Sequence, residues 1–231
     1  MTTATKTVLS EKTLAILKNF AGINSNILIK PGNTLTTVSH MKNILAEAEI
    51  EETFDREIAI WDLNQFLGTI SLFDKPSFEF EENHVMISGS NGSSVRYFYS
   101  APNLITAPSK KITMPEIAVD FELRQRDLIE LQKAAAVLGL PDLCVQAQGD
   151  SLVMSALDKK ASNSSNTYSI ELGELPSDEH DFKFFFKVEN LKMITGDYDV
   201  SIAKQVVSHF THKTSGVQYW IALESDSVYN G

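Results

Sequence analysis

The apolar positions of the chain change period along its length, and each change marks an element. From residue 11 to about residue 21 they recur at helical spacing. Thr13, Ile16, Leu17 and Phe20 share one arc of a 100° wheel, and Glu11, Lys12, Ala15, Lys18 and Asn19 occupy the other. Ser10 stands where an N-cap belongs, and Gly22 is placed to end the helix in a left-handed conformation. Strand-like runs follow at residues 27–30, 34–38 and 46–50, divided by turn formers such as Pro31-Gly32-Asn33. Residues 63–70 read as a second, shorter helix. Beyond it Phe78-Glu79-Phe80-Glu81 alternates with period two, and the runs 85–88 and 95–100 flank Gly89-Ser90-Asn91-Gly92, a hairpin signal.

Residues 101–115 show neither period and contain Pro102, Pro108 and Pro115 with adjacent Lys110 and Lys111, so they read as a connector. The pattern then restarts. A strand at 119–123 leads into a helix at 126–138 that buries Leu128, Leu131, Ala135 and Leu138, turns Arg126, Glu130 and Lys133 outward, and stops at Gly139 before Pro141. Strands are predicted at 143–147, 151–156, 167–172, 181–188, 198–203, 206–210 and 217–224, with a polar loop at 159–166.

Three segments of the first half recur, in order, in the second. Thr13-Leu14-Ala15-Ile16-Leu17-Lys18 corresponds to Asp127-Leu128-Ile129-Glu130-Leu131-Gln132, both as the first amphipathic helix. Ala59-Ile60-Trp61-Asp62-Leu63-Asn64-Gln65-Phe66-Leu67 corresponds to Phe185-Phe186-Lys187-Val188-Glu189-Asn190-Leu191-Lys192-Met193, both running from a strand into a helix. Ser94-Val95-Arg96-Tyr97-Phe98-Tyr99-Ser100-Ala101 corresponds to Gly216-Val217-Gln218-Tyr219-Trp220-Ile221-Ala222-Leu223 as a closing strand. The expected organisation is α+β: similar domains at 1–100 and 116–231 joined by the connector at 101–115, each with antiparallel sheets and two helices. Unpaired strand edges in each half are then free to pair head to tail between copies, and a rotation that closes gives a ring.

Charge narrows the function. Twenty basic against thirty acidic residues give a net charge of -10, which repels nucleic acid over most of the surface. Yet Lys12, Lys18, Arg126, Lys133 and, on the expected fourth helix, Lys192 fall on exposed helical faces in both halves. The single cysteine, Cys144, sits in an apolar run and reads as buried filler; no signal peptide or membrane span is expected.

Candidate chemistry is sparse. His209 and His212 are three apart on a predicted strand, hence on opposite faces and unsuited to share a metal. Glu179-His180-Asp181 reads as a solvated turn, and the Gly/Ser-rich stretch after Gly89 joins strands without opening a helix, so it lacks a phosphate cradle. Asn91-Gly92-Ser93 and Asn163-Ser164-Ser165 fit the glycosylation pattern without a secretion signal. No nucleophile elbow is present and no enzyme is indicated. The rival readings are a β-rich virion or scaffold protein and a hydrolase built on the histidine and acidic loops.

Longer segments carry a resemblance. Leu14-Ala15-Ile16-Leu17-Lys18-Asn19-Phe20-Ala21-Gly22-Ile23-Asn24-Ser25 and Ile58-Ala59-Ile60-Trp61-Asp62-Leu63-Asn64-Gln65-Phe66-Leu67-Gly68 do so, with Leu172-Gly173, Gly196-Asp197-Tyr198 and Ala222-Leu223-Glu224-Ser225-Asp226-Ser227. Through them the chain resembles the sliding clamps of T-even-type bacteriophages, departing at residues 1–7 and in the loop at 158–166. The resemblance implies the DNA-clamp fold and a homotrimeric ring around double-stranded DNA in the cytoplasm of the infected bacterial host. It implies loading by an ATP-driven clamp loader, tethering of the DNA polymerase, and service to a late-transcription sigma-like factor and coactivator, with no cofactor. By the same analogy Lys12, Lys18, Arg126, Lys133 and Lys192, with Arg124, face DNA, and Val38, Ile44, Ile105 and Leu223 form a partner-peptide pocket beside the connector.

Overall fold

The computed structural model describes residues 6–161, 166–175, 181–204 and 206–230. The chain divides into two compact units, Met1–Lys110 and Lys111–Gly231.

The first unit runs α1 (Glu11–Ile23), β1 (Ile27–Ile29), β2 (Gly32–Val38), β3 (Ile44–Phe54), β4 (Ile58–Ile60), α2 (Leu63–Ile70), β5 (Ser77–Phe80), β6 (His84–Ser88) and β7 (Ser94–Phe98). All pairing within it is antiparallel: β1 with β4, β2 with β3, and β5-β6-β7 in order, with Thr7 bridged to Phe78 on β5. The second unit runs β8 (Ile117–Leu123), α3 (Gln125–Leu138), β9 (Asp142–Gln148), β10 (Ser151–Leu157), β11 (Tyr168–Glu174), β12 (Phe182–Lys187), a 3-10 turn (Val188–Asn190), β13 (Tyr198–Ala203), β14 (Val207–His212), β15 (Val217–Ala222) and β16 (Val228–Tyr229). Its strands are ordered β8-β13-β14-β15 and β11-β10-β9-β12-β16, again antiparallel.

The two units share one topology. The β1–β4 pair matches β9–β12, β2–β3 matches β10–β11, and the series Thr7, β5, β6, β7 matches β8, β13, β14, β15. Each of the three repeated sequence segments begins on equivalent elements: α1 with α3, β4 with β12, and β7 with β15, although the α-helix α2 follows β4 and a 3-10 turn follows β12. Alternation explains why the strands form: inward residues such as Leu35, Phe78 and Ile87 in the first unit and Leu143, Phe184, Phe186 and Phe210 in the second are fully buried. Truncating any one of the large aromatics to alanine costs about 3–5 kcal/mol.

Three local expectations are corrected. Gly22 does not end α1. The helix continues because Ile23 buries on the same face as Phe20, and Asn24, in extended conformation, closes it with its N–H on the Phe20 carbonyl. Leu138 does not pack inward but is 39% exposed, beyond the last buried turn at Ala135. The fourth α-helix is absent: its place is taken by the 3-10 turn Val188–Asn190, and Lys192 is exposed in the irregular segment that follows. Two buried tyrosines divert that backbone. Ile194 N–H donates to Tyr219 Oη at 3.0 Å, and the Ile194 carbonyl accepts from the Tyr198 hydroxyl, so neither group is left for a helical ladder.

The loop after β10 is anchored at its start, where Lys159 Nζ reaches Asp226 at 2.7 Å and Glu224 at 3.3 Å. Asn163, Ser164, Ser165, Glu179 and His180 lie outside the described residues.

Candidate nucleic-acid interface

On the first unit the basic face belongs to α1. Ser10 Oγ accepts the Thr13 N–H at 3.2 Å, and the Glu52 carboxylate from β3 accepts both the Ser10 N–H and the Thr13 hydroxyl. Burial pulls the Glu52 pKa up, but the bonds from Thr13 and Ser10 outweigh it and hold the acid below its ordinary value. With Thr13, Ile16, Leu17, Phe20 and Ile23 buried, Lys12 and Lys18 are left on the exposed face, about 9 Å apart along the axis at 1.5 Å per residue.

On the second unit the corresponding helix, α3, starts on a borrowed cap. Arg124 occupies the N-cap position without a side-chain cap bond of its own, and Asp197 Oδ1 accepts the Gln125 N–H at 2.7 Å. Gly139, in the left-handed conformation at φ 68°, ends the helix as expected. Leu128, Leu131 and Ala135 face inward, so Arg126, Glu130 and Lys133 face out. Arg124, Arg126, Ile129, Lys133, Glu122 and Asp197 line one shallow, open depression beside the helix start.

Carboxylates temper this patch. Arg126 Nε lies 3.2 Å from Asp127 and Arg124 Nε 3.7 Å from Glu122, which also takes Lys213 Nζ at 2.5 Å. The arginine side chains are 71% and 57% exposed, so such pairs are worth at most about 1 kcal/mol and exchange readily for a phosphate. Lys12, Lys18 and Lys133 have no ion-pair partner within 4.0 Å among the described residues. The arrangement offers weak, replaceable phosphate contacts and no deep anion pocket.

Among the described residues no group of three His, Cys, Asp or Glu side chains is placed to hold a metal ion. His209 stacks on Trp220 on one face of β14, and His212 packs edge-on to Tyr198 on the other. Cys144 is buried, and desolvation pushes its thiol up to about 12, with Lys183 opposing only in part. Among the described residues no helix is long and apolar enough to cross a membrane.

Family models match both halves. "DNA polymerase processivity factor" covers residues 9–114 and "gp45 sliding clamp, C terminal" covers residues 120–225. The sliding clamp of Vibrio phage KVP40 is 35% identical over 222 residues, 94% of this chain and 99% of that protein. The chain belongs to the sliding-clamp family. The sliding clamp of Enterobacteria phage T4 is 30% identical over 229 residues, covering 96% and 99%. The proliferating cellular nuclear antigen of Entamoeba histolytica superimposes with a TM-score of 0.69 over 96% of this chain and 99% of that one; at 12% identity this shows the clamp fold alone.

The expected site residues divide by unit. Lys12 and Lys18 share α1; Arg124, Arg126 and Lys133 gather at α3; Lys192 lies outside any α-helix. Val38 and Ile44 are buried at the two ends of the β2–β3 turn, where Ser39 N–H donates to the Ile44 carbonyl at 2.9 Å, and Ile105 is half-buried after a 3-10 turn at Pro102–Leu104. Leu223, in the second unit, is half-buried after β15. Of the acidic members of the depression, Glu130 is legible as an outward helix position and Asp197 only as part of the Gly196-Asp197-Tyr198 segment, while nothing in the sequence singles out Glu122. Asp197 is 72 residues from the amide it caps, and no local pattern links them.

Proposed function

We propose that three copies of this chain close into a ring around double-stranded DNA and hold the phage DNA polymerase to its template. The action is topological, and no bond is made or broken. The observation that carries this reading is the repeated topology: two like units, each presenting one helix with basic side chains outward, in a chain of net charge -10. A strongly acidic exterior repels DNA except where those helices face it. Lys12, Lys18, Arg124, Arg126, Lys133 and Lys192 are the proposed phosphate contacts, few and shallow enough for sliding.

Ring closure is proposed between β7 of one copy and β11 of the next, since each ends its sheet. Arg96 is exposed on β7 and Glu171 and Glu174 on β11, while the alternate positions, Val95 and Tyr97 against Ile170 and Leu172, are half-buried and apolar. Antiparallel addition would set like surface on like and opposite charge on charge. The family resemblance adds the ATP-driven loader and partner peptides docking near Val38, Ile44, Ile105 and Leu223, beside the connector that the prolines at 101–115 suggest between domains 1–100 and 116–231. A late-transcription role rests on that resemblance alone.

The test is primer extension with loader and polymerase. Replacing Lys12, Lys18, Arg126 and Lys133 together by Glu is expected to abolish long products while leaving the oligomer intact in sedimentation. Wild-type product lengths would refute the DNA-facing assignment.

A further inference from the structure

Two buried asparagines hold the first part of the connector from both sides. Asn24, 2% exposed at the end of α1, donates from Nδ2 to the Val38 carbonyl at 2.9 Å and to the Thr106 carbonyl at 3.3 Å. Asn26, 4% exposed, accepts the Thr106 N–H on Oδ1 at 3.1 Å. Asn24 Oδ1 in turn accepts the Asn26 backbone N–H at 3.2 Å, which fixes the Asn24 side chain against the Asn26 backbone. Thr106 is outside any strand, yet its N–H and its carbonyl are both satisfied by buried side-chain amides. The same Asn24 closes α1 with its backbone N–H on the Phe20 carbonyl.

A surface loop usually satisfies its backbone with water. Here a segment between Pro102 and Pro108 is tied instead to the end of a helix and to the last residue of β2. Val38, the residue whose carbonyl shares the Asn24 amide, is one of the proposed peptide-pocket residues, and Ile105 immediately precedes Thr106. The tie therefore sets where Ile105 stands relative to Val38.

We propose that Asn24 and Asn26 form a latch on Thr106 that positions the connector for partner peptides, with Asn24 as the principal positioning residue. The proposal rests on the reading that partners dock beside the connector. Holding the loop in place before a partner arrives removes an ordering cost from binding. Because Asn24 also ends α1, movement of the connector is mechanically linked to the helix that carries Lys12 and Lys18.

The chemistry supplies a discriminating pair of isosteric variants. Asn24→Asp deletes the only donor and sets a carboxylate against two carbonyls; Asn26→Asp keeps the acceptor that Thr106 N–H uses. A third variant, Thr106→Pro, removes that N–H from the connector side without touching the buried asparagines. The experiment measures amide hydrogen exchange at residues 105–107 and the affinity of the loaded clamp on primed DNA for the phage polymerase, with retention on closed circular DNA as the control. Asn24→Asp and Thr106→Pro are expected to speed exchange at 105 and 107 and to weaken polymerase binding roughly tenfold at unchanged retention, and Asn26→Asp to weaken it less, since it buries a charge but keeps the acceptor. Faster exchange with undiminished polymerase affinity in Thr106→Pro would overturn the latch. Should Asn24→Asp fail to fold, Thr106→Pro decides alone. Failure of the wild-type protein to stay on closed circles would instead sink the ring reading, a separately visible outcome.

Discussion

Asp197 Oδ1 lies 2.7 Å from the backbone nitrogen of Gln125, so the first turn of α3 is capped by a carboxylate from the turn preceding β13. The bond satisfies one of the amides a helix start leaves open, and the negative charge meets the positive end of the helix dipole. Asp197→Ala is therefore expected to cost about 1 kcal/mol, and Asp197→Asn less, because the amide oxygen still accepts. Urea unfolding measures both, and equal midpoints for Asp197→Ala and wild type would contradict the cap.

The neighbouring Gly196 is required for space. A Cβ there would stand 2.0 Å from His212 Nε2. The ring cannot retreat: Nδ1 accepts the amides of Thr214 and Ser215 at 3.1 and 3.2 Å, and Nε2 faces the Thr195 carbonyl at 3.2 Å. Gly196→Ala should destabilise by about 1–3 kcal/mol, and a His212→Ala background should remove most of that penalty. Additive losses in the double variant would mean that the two residues do not collide.

Acid should loosen α1 through Glu52. Its pKa in the folded protein lies below the ordinary 4.5, burial being outweighed by the bonds from Thr13 and Ser10. A depressed acid contributes stability above its unfolded pKa, and that contribution disappears as pH falls through the folded value. Between about pH 6 and about pH 3 the wild type should lose more unfolding free energy than Glu52→Gln, which has no carboxylate to protonate. Parallel pH profiles for the two proteins would exclude this role.

The proposed edge contact is open to a charge exchange. Arg96→Glu on β7 or Glu171→Arg on β11 should each weaken assembly by roughly tenfold or more, through like charges set opposite each other. The two changes in one chain should restore it, since every contact in a head-to-tail ring joins the same two edges. Sedimentation velocity across a concentration series reads the outcome; trimers of undiminished stability in Arg96→Glu would place the contact elsewhere.

Periodicity alone makes the regular elements legible. The inward arc Thr13, Ile16, Leu17, Phe20 is the buried face of α1, and Gly139 ends α3 where the chain needs a left-handed residue. Lys12, Lys18, Arg126 and Lys133 are legible as exposed for the same reason, since a helix wheel states which side packs. What periodicity cannot convey are ties between distant residues. Tyr198 and Tyr219 take both polar groups of Ile194, so a segment with helical spacing around Lys192 makes one 3-10 turn instead. Asp197 at α3 and Asn24 on Thr106 act across 72 and 82 residues, and neither leaves a local pattern.

The most direct measurement loads the protein with its loader onto nicked circular DNA, raises the salt, and then cuts the circle. A linked ring should remain on the closed circle at salt concentrations that strip charge-bound proteins, and should leave once free ends appear. Release by salt from the intact circle, with no further loss on cutting, would contradict encirclement.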